Sequence, residues 1–316
     1  MVKIAIAGGS GIVSNWSLQD APAGEATPDI TWIKTDYKDP KELTQILHGV
    51  PTLLSFASEQ DDPSSPVQKR LIDAAVQAGV KRFAPSEWAT SGLEHLSWYA
   101  YKAETRRYLE ELNRDKKVLE YTLFQPGLFV NYLTFPYKST KHLHLFEPPF
   151  DFENRRAIVI DGSEDDRITF TSVHDLANVV AMAVDFDAEW PVVGGIRGTD
   201  ISIGQLIAIG EKVRGGLPFH LEELKPEDLE NGTWQTSWVP KVDHPSIPPE
   251  QVEAFSKVGV AGILLAISAK AFAVSDEWNR LLPEYKFTQT EDFLTAAWSY
   301  LLCLVTELAS QRQLEF

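Results

Sequence analysis

The chain has 316 residues, of which 44% are hydrophobic and 23% are charged. This length suits one large α/β domain or two closely joined lobes, and a chain of this size needs no disulfide or metal ion to stabilise its core. Its 45 acidic residues outnumber its 29 basic residues, and the formal net charge is −16. Such a balance argues against a nucleic-acid-binding protein and against a polybasic membrane-surface protein.

The cysteine content and the lack of a recognisable targeting signal exclude further classes of protein. Cys303 is the single cysteine, which excludes an internal disulfide framework and a cysteine-rich zinc site. The first residues, MVKIAIAGGSG, have no basic segment ahead of a long apolar one, so we expect no signal peptide. The longest apolar run, between Lys257 and Lys270, is shorter than the ~20 residues of a membrane span. We therefore expect a cytoplasmic protein with a small-molecule substrate and no direct nucleic-acid or membrane partner; a homodimer is left open.

The N-terminal half alternates between strand and helix signals. Apolar and β-branched runs predict strands over residues 2–7, 30–35, 52–57, 80–86 and 120–126. Helices are predicted over residues 39–49, 64–79 and 97–113. In the second helix, Ser65 at the N-cap, Pro66 at N1 and Gln68 at N3 form a capping-box pattern. The alternation predicts a doubly wound, mostly parallel sheet.

The pattern is looser in the C-terminal half. Residues 157–161 and 167–171 look like two short strands around a turn, which is consistent with a hairpin. Helices are predicted over residues 172–186, 202–213, 250–274 and 289–311, and loops over 215–249. We place a dinucleotide-binding region at residues 1–126. Residues 127–316 form a smaller α/β substrate lobe mixed with returning elements of the first region.

A glycine-rich turn, AGGSGIVS, follows the first predicted strand. Gly8 can adopt positive φ, and Gly9 and Gly11 let the backbone approach an anion closely. A strand that ends in such a turn is typical of a Rossmann-like fold, which places pyrophosphate there. We assign cofactor binding to the turn and to the end of the third predicted strand, namely to Gly8, Gly9, Ser10, Gly11, Ile12, Ser55 and Phe56.

The segment after this turn is too short for a complete βαβ unit. Only about 15 residues separate the turn from the strand predicted at 30–35, whereas a βαβ unit takes roughly 30. The first crossover helix and the second strand are therefore predicted to be missing. We expect the strands at 2–7 and 30–35 to pair directly, because a gap would expose two unpaired edges. Lys34 and Lys38 are the candidates to bind a cofactor 2′-phosphate in place of the missing strand end.

Several motifs together resemble the NmrA-like family and, most closely, its isoflavone-reductase-like branch of atypical short-chain dehydrogenases. They are the AGGSG start, QKRLIDAAVQAGVKRF, PSEW, Lys102 followed by Arg106 and Arg107, and YTLFQPGLFVNYL. The resemblance covers roughly residues 2–13 and 30–298. It implies a Rossmann domain with a C-terminal substrate lobe, NADP(H) as cofactor, and Lys102 as the catalytic residue that also contacts the cofactor.

The chemistry expected of Lys102 follows from its position on the predicted helix 97–113. Ordinary short-chain dehydrogenases pair Tyr and Lys four residues apart, and here that earlier position is Trp98. Tyr99, three residues before Lys102, lies on nearly the same helix face and is a second candidate acid. A buried lysine loses its proton more easily and can act as an acid or base near neutral pH. The alternative is a solvated lysine paired with an acidic neighbour.

Phe129, Asn131 and Tyr132 are candidates for the substrate wall, because they follow the last central strand, where α/β folds bind ligands. The helical spacing of the two aromatic residues is also typical of a core. No third metal ligand accompanies His142 and His144, and we assign no metal site. The pair His174–Asp175 is interpreted as a helix start rather than a catalytic dyad.

The leading hypothesis is an NADP(H)-dependent reductase that transfers hydride to a small aromatic or conjugated metabolite, with NAD(H) as an alternative cofactor. Two other classes stay open. One is a regulatory protein that senses the dinucleotide without catalysis. The other is a shortened product with impaired cofactor binding and no activity.

Overall fold

The structure, a computed structural model, describes residues 3–8, 29–59, 62–141, 143–243 and 247–300. Its N-terminal part contains a parallel sheet in which the four strands lie in chain order. These strands are β1 (Ile4–Ala7), β2 (Thr52–Ser55), β3 (Arg82–Ala84) and β4 (Glu120–Tyr121). The helices between them are α1 (Pro40–Ile46), α2 (Pro66–Ala78) and α3 (Ala100–Leu112). The predicted α/β fold with a parallel sheet is confirmed.

One hydrophobic cluster fastens the helices to this sheet. The α2 residues Leu71 and Ile72 are buried against Leu53 of β2 and Phe83 of β3, and Leu109 of α3 closes the cluster. Their exposed fractions are 2% or less. Burying a side chain of this size contributes roughly 1.5–3 kcal/mol, so these contacts determine the position of α3 relative to the carboxyl ends of the strands.

The strand predicted at residues 30–35 is wrong, and so is its pairing with β1. Residues 30–35 are irregular, and the partner of β1 is β2. Within the described residues, Ile4 and Ile6 of β1 are 41% and 51% exposed, and Ile33 is 54% exposed. A β-branched sequence needs a hydrogen-bonding neighbour to form a strand, and none of the described residues pairs with this segment. The predicted loss of a crossover falls on residues 9–28, which lie outside the described residues.

The N-terminus of α2 is capped differently from the predicted capping box. Ser65 lies at the N-cap position with φ of +52°, and its side chain makes no capping bond to the helix. The carboxylate of Glu59 instead accepts hydrogen bonds from the amides of Val67 and Gln68, at 2.7 and 2.9 Å, and from the Ser65 hydroxyl. A negative carboxylate at this position also interacts favourably with the positive end of the helix dipole.

We expect Glu59→Ala to lower the free energy of unfolding by about 2 kcal/mol, because it leaves the Val67 and Gln68 amides without an acceptor and removes one of the two partners of the buried Ser65 hydroxyl. The measurement is the urea unfolding midpoint. Glu110→Ala, on the exposed face of α3, is the control and should change the midpoint little. Equal midpoints for the two variants would contradict the capping role of Glu59.

The C-terminal part contains three small sheets. In the first, β5 (Leu123–Gln125) pairs with β10 (Val193–Gly195) in parallel. In the second, β9 (Arg167–Thr171) lies between β6 (Leu128–Phe129) and β11 (Thr199–Ser202). In the third, β8 (Arg156–Ile160) lies between β7 (Phe150–Asp151) and β12 (His220–Leu224). The predicted hairpin is therefore wrong, because β8 and β9 belong to different sheets. The domain boundary after residue 126 stays a prediction.

The remaining helices surround these sheets. They are α4 (Val173–Val184), α5 (Ile203–Val213), α6 (Pro226–Glu230), α7 (Val252–Ser268), α8 (Glu277–Leu281) and the helical residues 290–300. Short 3₁₀ helices cover Ser97–Tyr99, Val130–Thr134 and Pro249–Gln251. Residues 215–249, predicted as loops, contain β12 and α6, and their Trp234 and Trp238 are buried against α7.

Helix α7, extended at its start to Pro249, is long and apolar enough to cross a membrane by length and composition alone. Most of its side chains are nevertheless buried among other parts of the protein, including Val260 and Leu264 at 1% and 3% exposure. The core helix of a soluble protein has the same properties, so this helix is weak support for a membrane span.

Candidate functional site

Lys102 lies on the first turn of α3, next to the loop that follows β3. Its side chain is buried, with 4% of the residue exposed. The ammonium group donates hydrogen bonds to the carbonyl oxygens of Ser86, at 3.1 Å, and of Glu87. It also lies 4.2 Å from the centre of the Tyr99 ring. The alternative of a solvated surface lysine is therefore wrong.

Some of the groups around Lys102 raise its pKa and others lower it. Burial lowers the pKa of Lys102, because the charged form loses hydration. Tyr99 and Glu87 raise it, and Arg106 lowers it. Burial also raises the pKa of the Tyr99 hydroxyl, which Lys102 partly offsets. Tyr99 thus stays protonated, whereas burial makes Lys102 release its proton more easily than an exposed lysine does.

Trp98, which replaces the tyrosine of the ordinary pair, belongs to the scaffold. Its ring lies against Phe255 of α7, with 6.0 Å between ring centres. A side chain on Gly262 of α7 would collide with that ring. The 3₁₀ turn Ser97–Tyr99 ends where α3 begins, and it leaves Tyr99 rather than Trp98 beside Lys102. The predicted proximity of Tyr99 and Lys102 is confirmed.

Glu87 in the loop of residues 85–91 forms an ion pair with Arg106 of α3 that could not be predicted from the sequence. Glu87 is 1% exposed, and its carboxylate accepts two hydrogen bonds from Arg106, at 2.6 and 3.1 Å. The Arg106 guanidinium also donates to the carbonyl oxygens of Thr90 and Ser91. Because Arg106 follows Lys102 by four residues, both side chains extend from the same face of α3 toward this loop.

Aromatic rings are stacked at the carboxyl ends of the strands. Trp88 lies parallel to Phe56, with 4.3 Å between ring centres, and 5.3 Å from Phe124 on its other side. Its indole N–H donates to the Ser55 carbonyl at 2.7 Å. Phe56 is 38% exposed, so this stack ends in an accessible aromatic face beside the turn after β1. Such a face suits a planar ring of a ligand.

The predicted cofactor residues have different surroundings. Gly8 has φ of +76°, as predicted, and its amide donates to the Tyr37 hydroxyl at 2.9 Å. Gly9, Ser10, Gly11 and Ile12 lie outside the described residues. Ser55 is completely buried, and its hydroxyl accepts a hydrogen bond from Gln68, so its side chain is already paired within the protein. Cofactor binding by these residues stays a prediction.

The candidate substrate wall contains aromatic rings beside Tyr99. Phe129 and Tyr132 lie 5.9 Å apart, and Phe146 lies 4.2 Å from Tyr132. Burial raises the pKa of Tyr132, and the nearby Tyr99 raises it further. Phe146 could not be found from the sequence, since it lies in an irregular segment. These rings are connected to Lys102 only through Tyr99, which lies beside both Tyr132 and the ammonium group.

The oxygen and the nitrogen of the Asn131 side-chain amide both form hydrogen bonds within the protein. It is 3% exposed; its oxygen accepts the Val173 amide at 3.0 Å, and its nitrogen donates to the Ser139 hydroxyl at 3.1 Å. Val173 is the first residue of α4, so Asn131 caps that helix from a distant segment. Its predicted substrate contact stays untested, but both the oxygen and the nitrogen of the amide already have a partner within the protein.

We expect Asn131→Ala to lower the free energy of unfolding by about 1–2 kcal/mol, because the Val173 amide loses its acceptor. Asn131→Asp keeps an acceptor oxygen at the helix N-terminus and should retain most of the stability. Thermal unfolding of the two variants compares them directly. If both lose the same stability, the capping interpretation is wrong.

The pair His174–Asp175 lies at the start of α4, and only the aspartate is buried. Asp175 is 1% exposed and accepts hydrogen bonds from Tyr285 and Thr288, whereas His174 is exposed. Asp175 therefore ties the chain after α8 to the start of α4. His142 lies outside the described residues, and within the described ranges no three potential metal ligands converge.

An open groove of about 640 Å³ lies between residues 134–139 and the helical residues 290–300. Tyr137, Phe293 and Tyr300 form much of its lining. Lys102, Tyr99 and the loop of residues 85–91 do not line this groove, so it is separate from the candidate site.

Comparison with known proteins agrees with this architecture. The oxidoreductase swnN of Arthroderma benhamiae is 26% identical over 329 residues, in an alignment that covers 94% of this chain and 98% of the relative. That alignment is longer than the 316-residue chain, so the relative has residues without a counterpart here.

Two solved structures share the fold. The NADPH-dependent quinone oxidoreductase QOR2 of Escherichia coli, in complex with NADPH, has a TM-score of 0.60 and 22% identity, covering 87% of this chain and 84% of its own. A structure from a study of pinoresinol-lariciresinol and phenylcoumaran benzylic ether reductases, and of their relationship to isoflavone reductases, also has a TM-score of 0.60, at 17% identity. It covers 84% of this chain and 81% of its own. The sequence profile of the NmrA-like family matches residues 20–237, most of the chain. The protein therefore belongs to the NmrA-like family, as its motifs predicted.

Proposed function

We propose that this protein is an NADP(H)-dependent reductase that transfers hydride to a small aromatic or conjugated metabolite. The observation that carries the proposal is Lys102, a buried lysine held by two carbonyl oxygens beside Tyr99 at the carboxyl edge of a parallel sheet. That edge is where open α/β sheets bind their ligands. The oxidoreductase name of the fungal relative and the NADPH bound to the E. coli quinone oxidoreductase support the same reaction class.

The residues at the ends of β1 and β2 fit a dinucleotide. A Cβ on Gly8 would lie 2.9 Å from the Ala57 nitrogen, so only glycine allows the chain to turn this tightly after β1. The exposed ring of Phe56 lies beside this turn and would contact one of the cofactor rings. When bound, NADPH supplies the hydride.

Lys102 supplies the proton. An ammonium group has three N–H donors, and the carbonyl oxygens of Ser86 and Glu87 occupy two of them. In the proposed reaction the third donates its proton to the substrate oxygen, while the carbon bonded to that oxygen, or conjugated with it, accepts the hydride. Tyr99 is the nearest hydroxyl-bearing ring and orients the ammonium group through its π face.

The aromatic boundary favours a flat, conjugated substrate. Tyr132 lies near Tyr99, and its ring contacts those of Phe129 and Phe146. Stacked or tilted ring pairs contribute about 0.5–1.5 kcal/mol each beyond simple burial, which favours an aromatic ligand over an aliphatic one.

A second candidate is a chain that no longer binds the cofactor or turns it over. The Gly8 amide, which would face a phosphate, is bonded to the Tyr37 hydroxyl. The exposed Ile4 and Ile6 leave one edge of β1 without a neighbour among the described residues. Both features favour impaired binding.

Titration with NADPH, followed by nicotinamide fluorescence, distinguishes these functions. The same protein is then assayed for NADPH oxidation with quinones, aromatic ketones and conjugated enones. Saturable binding with turnover supports the reductase. Saturable binding without turnover supports a dinucleotide sensor, and absence of binding supports the impaired chain.

We expect the protein to discriminate weakly between NADPH and NADH. Lys38 is exposed and bonded only loosely to Asp36, at 3.8 Å, and Lys34 is also exposed. Neither residue forms a preorganised phosphate site, so the ratio of the two dissociation constants should stay below a hundredfold, about 2.7 kcal/mol. A larger ratio, measured by fluorescence titration, would require a phosphate site elsewhere.

A further inference from the structure

We propose that the buried Glu87–Arg106 ion pair is a positioning device for Lys102, which holds the two carbonyl acceptors of its ammonium group and keeps the charge beside it balanced. The inference rests on the proposed reductase function, in which Lys102 donates the proton. In this proposal Glu87 and Arg106 act through Lys102 rather than on the substrate.

The geometry links the three side chains through one loop. Glu87 uses its carbonyl oxygen to hold Lys102 and its carboxylate to hold Arg106. Arg106 donates at the same time to Thr90 and Ser91, at 3.1 and 2.8 Å. One guanidinium therefore fixes residues 87, 90 and 91 against α3. Any movement of this loop would displace the acceptors of the ammonium group.

The far side of the loop is anchored as well. The Ser91 amide and hydroxyl both donate to the Ala271 carbonyl, each at 2.9 Å, just after α7. The Gly127 amide donates to the Ala89 carbonyl at 3.0 Å. Because both sides are fastened, the ion pair lies in a rigid frame and its charges remain close to Lys102.

The two charges act on Lys102 in opposite senses. Glu87 raises the pKa of Lys102, and Arg106 lowers it, while burial provides the largest lowering. Tyr99 and Tyr101 also face the ammonium group, at 4.2 and 5.5 Å from their ring centres. Burial raises the pKa of both tyrosines, so they remain neutral at physiological pH. The ion pair is therefore the charged pair whose balance can be changed by mutation.

Removing either partner should shift the titration of Lys102 in a direction specific to that partner. Glu87→Gln leaves a cation beside Lys102 and should lower its titration midpoint by about half a pH unit or more. Arg106→Gln leaves an anion and should raise the midpoint by a similar amount. The double variant should return toward the wild-type midpoint. A purely structural role would give no opposite shifts.

The experiment is a pH titration of the whole protein labelled with ¹³C at lysine Cε, followed by NMR. The Lys102 signal is assigned as the one lost in Lys102→Met. Arg107→Gln is the matched control, since Arg107 is 59% exposed and pairs with Glu104 and Glu111 on the surface. It should leave the Lys102 midpoint unchanged.

Two shifts in the same direction, or none in folded variants, would overturn the proposal. If Arg106→Gln fails to fold, Arg106→Lys takes its place, because it keeps the positive charge. We expect Arg106→Lys to fold and to keep a near-wild-type Lys102 midpoint. A midpoint shifted as far as expected for loss of the charge would also overturn the proposal. The NMR readout needs no turnover, so absence of NADPH oxidation refutes the reductase function without affecting these shifts. In an active enzyme, the pH profile of kcat should move in the same directions.

Discussion

Lys102→Met is expected to lower kcat by roughly 10²–10⁴, the usual contribution of a general acid. The variant keeps the length of the side chain and its helix propensity, and removes the proton and the charge. If Lys102 acts in the chemical step as proposed, the substrate KM should change little while kcat falls. Steady-state kinetics at saturating NADPH measures both values.

Two companion measurements separate the alternatives for Lys102. If it serves only to hold the cofactor, the dissociation constant of NADPH rises while kcat at saturation survives. Tyr99→Phe tests the neighbouring hydroxyl, and a comparable loss of kcat there would transfer the acid role to tyrosine. Thermal unfolding is the control, since the Ser86 and Glu87 carbonyls lose a donor in Lys102→Met. Normal turnover in folded Lys102→Met would contradict the mechanism.

Local spacing along α3 was sufficient to predict the centre of this site. Residues three apart on a helix lie on one face, so Tyr99 could be placed beside Lys102 from the sequence alone. The contacts that bury Lys102 could not be predicted in this way. They come from Ser86 and Glu87, 16 and 15 residues earlier, and they depend on how the loop after β3 packs on α3.

The errors share one physical origin, which is competition from distant groups. The residues around Ser65 match a capping box, but the carboxylate of Glu59 accepts the hydrogen bonds of the Val67 and Gln68 amides instead. The surroundings of Asn131, whose substrate contact stays a prediction, likewise depend on a distant group, because its amide oxygen accepts the Val173 amide of α4, 42 residues later in the chain. The β-branched residues at 30–35 favour a strand, but no strand among the described residues pairs with this segment. Propensity describes a segment by itself, whereas these outcomes depend on tertiary neighbours.

The turn at Gly127 connects the site to the C-terminal sheets, and we expect Gly127→Ala to destabilise the protein by about 3 kcal/mol or more. Gly127 has φ of +73°, and an added Cβ would collide with the carbonyl group of Thr169 in β9. The backbone there cannot retreat, because Gly127 also donates to Ala89 in the loop that holds Lys102. Urea and thermal unfolding midpoints measure the loss.

Gly162→Ala provides a control that isolates the collision from the backbone strain. Gly162 has nearly the same φ, +74°, but a Cβ there would meet nothing within 4 Å. Its variant should lose only the roughly 1–2 kcal/mol that a left-handed conformation costs an alanine. The difference between the two variants is thus the cost of forcing β9 away from the turn. Since that displacement also pulls on the Ala89 carbonyl, Gly127→Ala should disturb the Lys102 titration while Gly162→Ala leaves it unchanged. Equal midpoints for the two variants would mean that β9 yields freely, and that the turn does not hold the loop beside Lys102.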